Sequence, residues 1–390
     1  MARRPDSLKN VSVRFENPTS SGRKETDMKI TQVEVFLLHD RFVYLKVDTD
    51  EGIAGWGEAA FHGGRLTAQM AEALGLQVVG HNPFHTDALW QQLFRTGYRI
   101  GNTGAYMAAI SALDIACFDI KGKALGTPIW NLLGGKLRDR VPVYSSLMQR
   151  HLSPQQDVEK VLARMEQGYS WVKLHTATAW SFDQGKDGTI ETVKALRDQC
   201  GNYDQLKILV DVNQAYMMPG AMRVGQVLGE LQVSHFEEPI APWDLDGYNQ
   251  LQAALEVPIA AGEQEYNLWQ FRDLITRGNL DILQPNITSC GGYTQGMKIA
   301  ALAEAYNRPI TCHNTDPALM TVAHLHLWAV CQSCVYPQEY YGEDSHPLRD
   351  QTPVLKTPIE VVKGHILVPD GPGLGVEVDE EMIRQIAWGD

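Results

Sequence analysis

The sequence predicts an α/β protein in which a parallel barrel carries a smaller α+β domain. Three observations lead there. Short apolar runs ending in polar residues alternate with helical patterns over residues 141–364, an antiparallel pattern followed by helices precedes them, and Asp211, Glu237 and Glu263 stand successively 26 residues apart. A chain of 390 residues, 44% of them apolar, can fill one large core and a second smaller one.

Residues 1–27 are polar and mixed in charge and lack the apolar stretch of a signal peptide, so a flexible extension is expected there. From Met28, "KITQVEVFLLH" and "FVYLKVDTDEGIAGWGEA" alternate as strands, with Asp50, Glu51 and Gly52 at a turn. Helical periodicity follows in "TAQMAEALGLQVVG", "TDALWQQLFRTG" and "AYMAAISALDIACFDIKGKALG", the last closing on Gly126 as a C-cap. A sheet followed by helices is expected to make an α+β domain over residues 28–140.

Eight strand-like runs follow, each but the last trailed by a helical pattern: "VPVYS", "WVKLH", "ILVDVNQ", "HFEEP", "IAAGEQ", "DILQPN", "PITCHN" and "YPQEY". His313 and Glu339, on the last two, are again 26 residues apart. Regular spacing of this kind suits repeated βα units over residues 141–364. Residues 365–390 are expected to form a strand pair and a turn that return to the first domain.

A net charge of −13 with no long basic stretch argues against nucleic acid or an anionic membrane as partner. No segment approaches the roughly 20 apolar residues of a membrane span. The six cysteines read as scattered reduced thiols, and a cytoplasmic protein is expected.

Residues at the C-terminal ends of barrel strands converge on one mouth, which brings Asp211, Glu237 and Glu263 together. Each alone would pass as a helix cap or a solvated turn residue. Together they would repel one another unless a cation neutralised them, and an all-oxygen set favours Mg²⁺, with Mn²⁺ possible, over zinc. Asn213 is placed to support Asp211. Glu238 has the opposite parity and reads as structural, while Glu265 has the right parity but stands at the edge of a loop.

Lys173 and His175 come one strand before Asp211 and point the same way; His313 and Glu339 come after the metal strands. Bases on two sides of a divalent ion suit removal of a proton alpha to a carboxylate, with the ion absorbing the charge of the enediolate. Lys173 would help keep His175 neutral and able to accept that proton.

These residues, with "FEEP", "AAGEQ", "QPNITSCGG", "CHN" and "GPGLGVEVDEE" in order, resemble the mandelate racemase and muconate-lactonizing branch of the enolase superfamily over residues 28–390. The resemblance implies a (β/α)7β TIM-like barrel under an α+β capping domain, Mg²⁺ on the three carboxylates, base work shared by the second and seventh strands, and Glu339 as the acid that polarises the substrate carboxylate. It also implies a homo-oligomer.

Two departures stand out. The second-strand Lys-x-Lys is here Lys173-x-His175, and the aspartate that partners the seventh-strand histidine is replaced by Asn286. An amide is expected to accept the Nδ1 proton of His313 without stabilising an imidazolium, which makes His313 a weaker proton acceptor. Asp281 lies too early on its strand to substitute, whereas Asp316, three residues past His313, is a candidate.

The reaction implied is dehydration of a sugar acid to a 2-keto-3-deoxy acid. His175, assisted by Lys173, would take the alpha proton and His313 would deliver a proton to the departing beta hydroxyl. The similarity is greatest to galactonate-type dehydratases. Capping loops at His39 to Arg41 and His62 to Arg65 are expected to set specificity, with His62 and Arg65 as substrate-binding residues. A racemase or epimerase, a cycloisomerase and a non-catalytic carboxylate-binding barrel are the alternatives. "GPGLGV" has no helix after it, and the histidines of "HLHLWA" sit on different helix faces, so neither is read as a site.

Overall fold

The computed structural model describes residues 27–60, 63–150, 152–177 and 187–387. The capping domain opens with a three-stranded antiparallel meander: β1 (Ile30–Leu38), β2 (Phe42–Thr49) and β3 (Ala54–Ala59). Three longer helices follow, α1 (Gly64–Val78), α2 (Thr86–Thr96) and α3 (Gly104–Leu125), then the short α4 (Ile129–Leu132).

Helix α3 is apolar on nearly every side and is mostly buried, as a helix enclosed by two layers must be. It lies close against β3 because Gly57 has no side chain: a Cβ there would come within 2.0 Å of the carbonyl oxygen of Ala112. Its other side meets the barrel, where Ser111 Oγ accepts the N–H of Gly291 (2.8 Å) and Asp114 accepts the N–H of Thr294 (2.9 Å).

The barrel alternates β4 (Arg140–Leu147), α5 (Pro154–Glu166), β5 (Trp171–His175), α6 (Thr189–Cys200), β6 (Lys207–Asp211), α7 (Met218–Glu230), β7 (His235–Glu237), α8 (Leu245–Ala254), β8 (Ile259–Ala261), α9 (Leu268–Thr276) and β9 (Ile282–Leu283). Then come α10 (Gly292–Ala305), α11 (Leu319–Val330) and β10 (Gln338–Tyr341). The parallel order is β10-β4-β5-β6-β7-β8-β9.

The seventh run, "PITCHN", contributes only a bridge from Ile310 to Leu283. Towards β10 its ladder is replaced by a side chain: Gln338 Oε1 accepts from the backbone of Cys312 (2.8 Å) and Nε2 donates to the carbonyl of Ile310 (3.1 Å). The amide does the work of a strand residue, so the barrel closes without a regular seventh strand.

After the barrel, β11 (His365–Leu367) pairs antiparallel with β4 rather than forming a strand pair of its own. α12 (Glu380–Ile386) then meets the cap, where Glu380 pairs with Lys46 (3.0 Å) and Arg384 with Glu34 (2.8 Å). Of the expected N-terminal extension, all but Asp27 lies outside the described residues.

All six cysteines are free and buried. Cys331 and Cys334 stand in a Cys-x-x-Cys spacing, which corrects the reading of the six as scattered thiols. Among the described residues no helix is long and apolar enough to cross a membrane.

Candidate active site

Register decides what meets at the barrel mouth. His175 lies opposite Asp211, and Asp211 opposite Glu237, as the terminal residues of neighbouring strands β5, β6 and β7. Glu263 falls two residues past β8. Gly262 before it has φ 137°, a conformation that a side chain resists, and a Cβ there would meet the backbone N of Gln284 at 2.9 Å. The turn allows Glu263 to join the others: one oxygen from each of Asp211, Glu237 and Glu263 lies within 4.8 Å of the other two, and all three residues are buried.

Lys173 is fully buried beneath them. Its Nζ lies 2.9 Å from Glu237 Oε1, 2.7 Å from Glu339 Oε1 and 3.6 Å from Asp211 Oδ2. Burial opposes the ammonium charge, but Glu237, Glu339 and Asp211 outweigh it and hold the pKa well above its ordinary value. Lys173 is thus held as a cation.

The carboxylates still lack positive charge. Burial raises Glu263 above its ordinary value; His313 opposes this, and Asp211 and Glu237 raise it further. Asp211, in contrast, is held low despite burial by His175 and Lys173. Three buried carboxylates so close need more than one ammonium and two imidazoles, and their oxygen-only set fits a hard divalent ion. Asn213 braces one of them, giving its backbone N–H to Asp211 Oδ1 (2.8 Å) and its Nδ2 to Oδ2 (3.2 Å).

The two histidines are held in opposite tautomers. His175 Nδ1 lies 2.7 Å from the carbonyl oxygen of Leu147. A carbonyl only accepts, so Nδ1 carries the proton and Nε2, 3.1 Å from Asp211 Oδ2, is the nitrogen left to gain or lose one.

At His313 the order is reversed. Asn286 Oδ1 accepts from the backbone N–H of Thr288 (2.9 Å) and from its Oγ1 (2.7 Å), which turns the Nδ2 group of Asn286 to His313 Nδ1 at 3.1 Å. Because a backbone N–H cannot accept, the amide orientation is fixed, and Nδ1 must be the unprotonated nitrogen. The Nε2–H then points to Glu263 Oε2, 3.3 Å away. This corrects the expectation that Asn286 accepts the Nδ1 proton: Thr288 has already taken the oxygen.

Glu339 accepts from Ser146 Oγ (2.6 Å) and from the backbone N–H of Asn314 (2.8 Å) as well as from Lys173. Burial raises its pKa, but Lys173 and His313 bring it below the ordinary value. Glu238 accepts from Gln214 Nε2 (3.2 Å), in keeping with a structural part. Glu265 lies in the loop after β8 and is pushed up to about 8 by burial and then by Glu263.

Asp281 binds the backbone N–H of Ile259 (3.0 Å), far from the mouth. Asp316 turns to the cap beside Glu58, with Oδ1 accepting the N–H of Ala318 (2.8 Å), and does not stand in for the missing aspartate.

A cavity of about 610 Å³ opens over His175, Glu263 and His313. The cap contributes Arg41 and Phe42 from the start of β2, so part of the expected specificity loop is at the site. Arg65 is a correction: it is 56% exposed, its Nε pairs with Asp40 at 2.8 Å, and it does not line this cavity. His62 lies outside the described residues.

The sequence reasoning missed Arg150 and His346, both of which line the cavity. Arg150 follows the first barrel strand and was findable by that position. His346, pushed down to about 4 by burial and then by Arg349 and Arg41, sits in a loop with no motif to announce it. A second cavity, of about 560 Å³, lies by Arg140 and Leu367, away from the carboxylates.

Two family models cover most of the chain. Residues 156–382 match the enolase C-terminal domain-like family and residues 24–134 the N-terminal domain of mandelate racemase and muconate lactonizing enzyme. This chain belongs to the enolase superfamily. Within that superfamily it is similar to the D-galactonate dehydratase of Variovorax paradoxus, 33% identical over 364 residues, 91% of this chain and 94% of that protein.

Among solved structures, a mandelate racemase/muconate lactonizing protein from Paracoccus denitrificans complexed with magnesium is 31% identical, with a TM-score of 0.84 over 92% of this chain and 97% of that one. The 3,6-anhydro-D-galactonate cycloisomerase of Zobellia galactanivorans is 29% identical, with a TM-score of 0.83 over 93% of this chain and all of that one.

Proposed function

We propose that this member of the enolase superfamily is a Mg²⁺-dependent dehydratase of a sugar acid. The observation that carries the reading is the opposite tautomers of His175 and His313 on either side of the carboxylate trio. One imidazole keeps a proton on Nδ1, so that its Nε2, beside Asp211, is the nitrogen that can take a further one once an ion holds the charge of Asp211, and the other presents an Nε2–H. Elimination of water needs that asymmetry: a group that removes the alpha proton and a donor to the departing beta hydroxyl.

Asp211, Glu237 and Glu263 would hold the ion, which when bound supplies positive charge against the negative charge that builds on the substrate carboxylate. Lys173 adds a permanent charge at the same end. His175 accepts the alpha proton at Nε2, and Leu147 keeps the ring from turning. His313, neutral and locked at Nδ1, hydrogen-bonds the leaving oxygen through Nε2–H rather than delivering a proton outright; as the carbon–oxygen bond breaks, that oxygen takes the proton His175 removed from the alpha carbon and departs as water.

An epimerase would need a second proton acceptor on the opposite face, and Asn286 withholds that role from His313. The name of the Variovorax relative, D-galactonate dehydratase, supports the same reaction class. Incubating the Mg²⁺-loaded protein with a panel of aldonic and aldaric acids in D₂O tests it. Formation of a 2-keto-3-deoxy acid is expected; inversion at the alpha carbon without loss of water would favour an epimerase, and no reaction with any acid a non-catalytic barrel.

A further inference from the structure

Arg150 stands in the loop after β4 and lines the same cavity as His175, Glu263 and His313. It is half-buried. Among the described residues its partners are two neutral oxygens: the carbonyl of Ala177, 3.0 Å from Nη1, and Oδ1 of Asn213, bonded to Nη2.

Other arginines in similar surroundings are satisfied differently. Arg164 and Arg349 pair with the carboxylates of Asp344 and Asp350. Arg197 has no carboxylate partner, but four backbone carbonyls, those of Leu231, Gly201, Leu206 and Gln232, take its donors. Among the described residues Arg150 uses two acceptors although a guanidinium has five N–H donors, and no carboxylate of theirs pairs with its charge beside the cavity. Bracing of the loop would need only the two neutral bonds.

The bracing also fixes where that charge sits. Asn213, at φ 39°, bonds both oxygens of Asp211 and at the same time holds Arg150. The guanidinium is thereby set two hydrogen bonds from a carboxylate of the trio, within the cavity that the substrate would fill.

We propose that Arg150 binds a second, distal carboxylate, so that the substrate is a polyhydroxy diacid, an aldaric acid, rather than an aldonic acid. The inference rests on the sugar-acid reading above. One carboxylate of such a molecule goes to the end of the cavity that Glu263 lines, where the ion would be held. The far end of an aldonic acid is a neutral CH₂OH that offers Arg150 no charge, whereas the far end of an aldaric acid is a carboxylate whose two oxygens match the guanidinium fork.

Galactarate and galactonate differ only at that far carbon. Their affinities for the Mg²⁺-loaded protein are to be measured by calorimetry in a His175→Asn background, where neither acid is consumed, with Arg150 intact, Arg150→Gln and Arg150→Lys. With Arg150 the diacid is expected to bind about 10- to 100-fold more tightly than the monoacid, the range for hydrogen bonds to charged groups. Arg150→Gln should bring the ratio to about 1 and Arg150→Lys should keep part of it, since charge survives but the fork does not.

A ratio at or below 1 with Arg150 intact, a ratio unchanged by Arg150→Gln, or failure of galactarate to bind overturns the assignment. Turnover by the protein with His175 is read separately. Selective binding of galactarate without loss of water defeats the dehydratase reading and leaves Arg150 in place; dehydration of galactonate with no diacid preference does the reverse.

Discussion

Asn286 gives its Nδ2 to His313 Nδ1 across 3.1 Å, because Thr288 occupies its oxygen. Replacing the amide by a carboxylate would reverse the ring. In Asn286→Asp one oxygen keeps the Thr288 N–H and the other requires a proton on Nδ1, which frees His313 Nε2 to act as an acceptor. Nitrogen NMR of the imidazoles is expected to show His313 protonated at Nε2 in the natural protein and at Nδ1 in the variant. Dehydration should slow by roughly 10-fold or more, with alpha-deuterium exchange gained on the His313 side. An Nδ1–H signal for His313 in the unaltered protein would remove the basis of the proposed function.

The division of labour between the two histidines predicts different losses. His175→Asn should lower both alpha-proton exchange and dehydration by about 10² to 10⁴, the usual contribution of a positioned acid or base. His313→Asn should suppress dehydration while alpha-proton exchange continues, because the donor to the leaving oxygen is gone and the acceptor remains. Exchange in D₂O followed by proton NMR separates the two. Equal loss of exchange in both variants would contradict the assignment.

Much of this site was legible because a parallel barrel converts strand-end position into proximity. The spacing of Asp211, Glu237 and Glu263 was enough to gather them, although Glu263 arrives by the turn at Gly262 rather than as a strand residue. Lys173 and His175 were readable from parity on one strand. The role of Asn286 was not, since the direction of its amide depends on Thr288, two residues away in the loop, and no spacing rule tells which end of an amide a neighbour will take. Arg65 misled for a similar reason: a charged residue in a capping loop looks available until Asp40 is seen beside it. The seventh run, "PITCHN", reads as a strand like the others, yet Gln338 supplies from its side chain what a strand would supply from its backbone.

Metal removal should be felt in stability as well as in rate. Without a divalent ion the trio keeps its mutual repulsion, so chelator-treated protein should melt lower and regain its melting temperature with Mg²⁺. At a hundredfold excess over Kd the gain is about 2.7 kcal/mol, by mass action on the native state alone. Glu263→Gln removes one negative charge, so the chelated variant should lose less and recover less. Melting curves followed by circular dichroism, with and without Mg²⁺, check this; curves that ignore both the chelator and Mg²⁺ would argue against a metal at these residues.

Asp114 couples pH to the contact between cap and barrel. It lies on α3, buried, and accepts from the N–H and hydroxyl of Thr294 on α10 at 2.9 and 2.5 Å. Burial pushes its pKa from 3.8 up to about 7, against the lowering effect of Thr294 and Lys121. A carboxyl whose pKa is higher in the folded state holds its proton more tightly there than in the unfolded chain. Its contribution to stability is therefore complete below about pH 4 and is lost as pH rises through about 7. Asp114→Asn removes that titration and keeps one acceptor for Thr294. At pH 5 the variant should be no more stable than the natural protein, having given up one oxygen. At pH 8 the difference should shift in favour of asparagine by on the order of a few kcal/mol, because the natural protein must then bury a charge. Thermal melts of both proteins at the two pH values, with saturating Mg²⁺, measure the shift, and any other group that titrates in this range affects both proteins alike. Melting temperatures that move in parallel would show that Asp114 stays ionised in the folded protein, held by Thr294 and Lys121 against its burial.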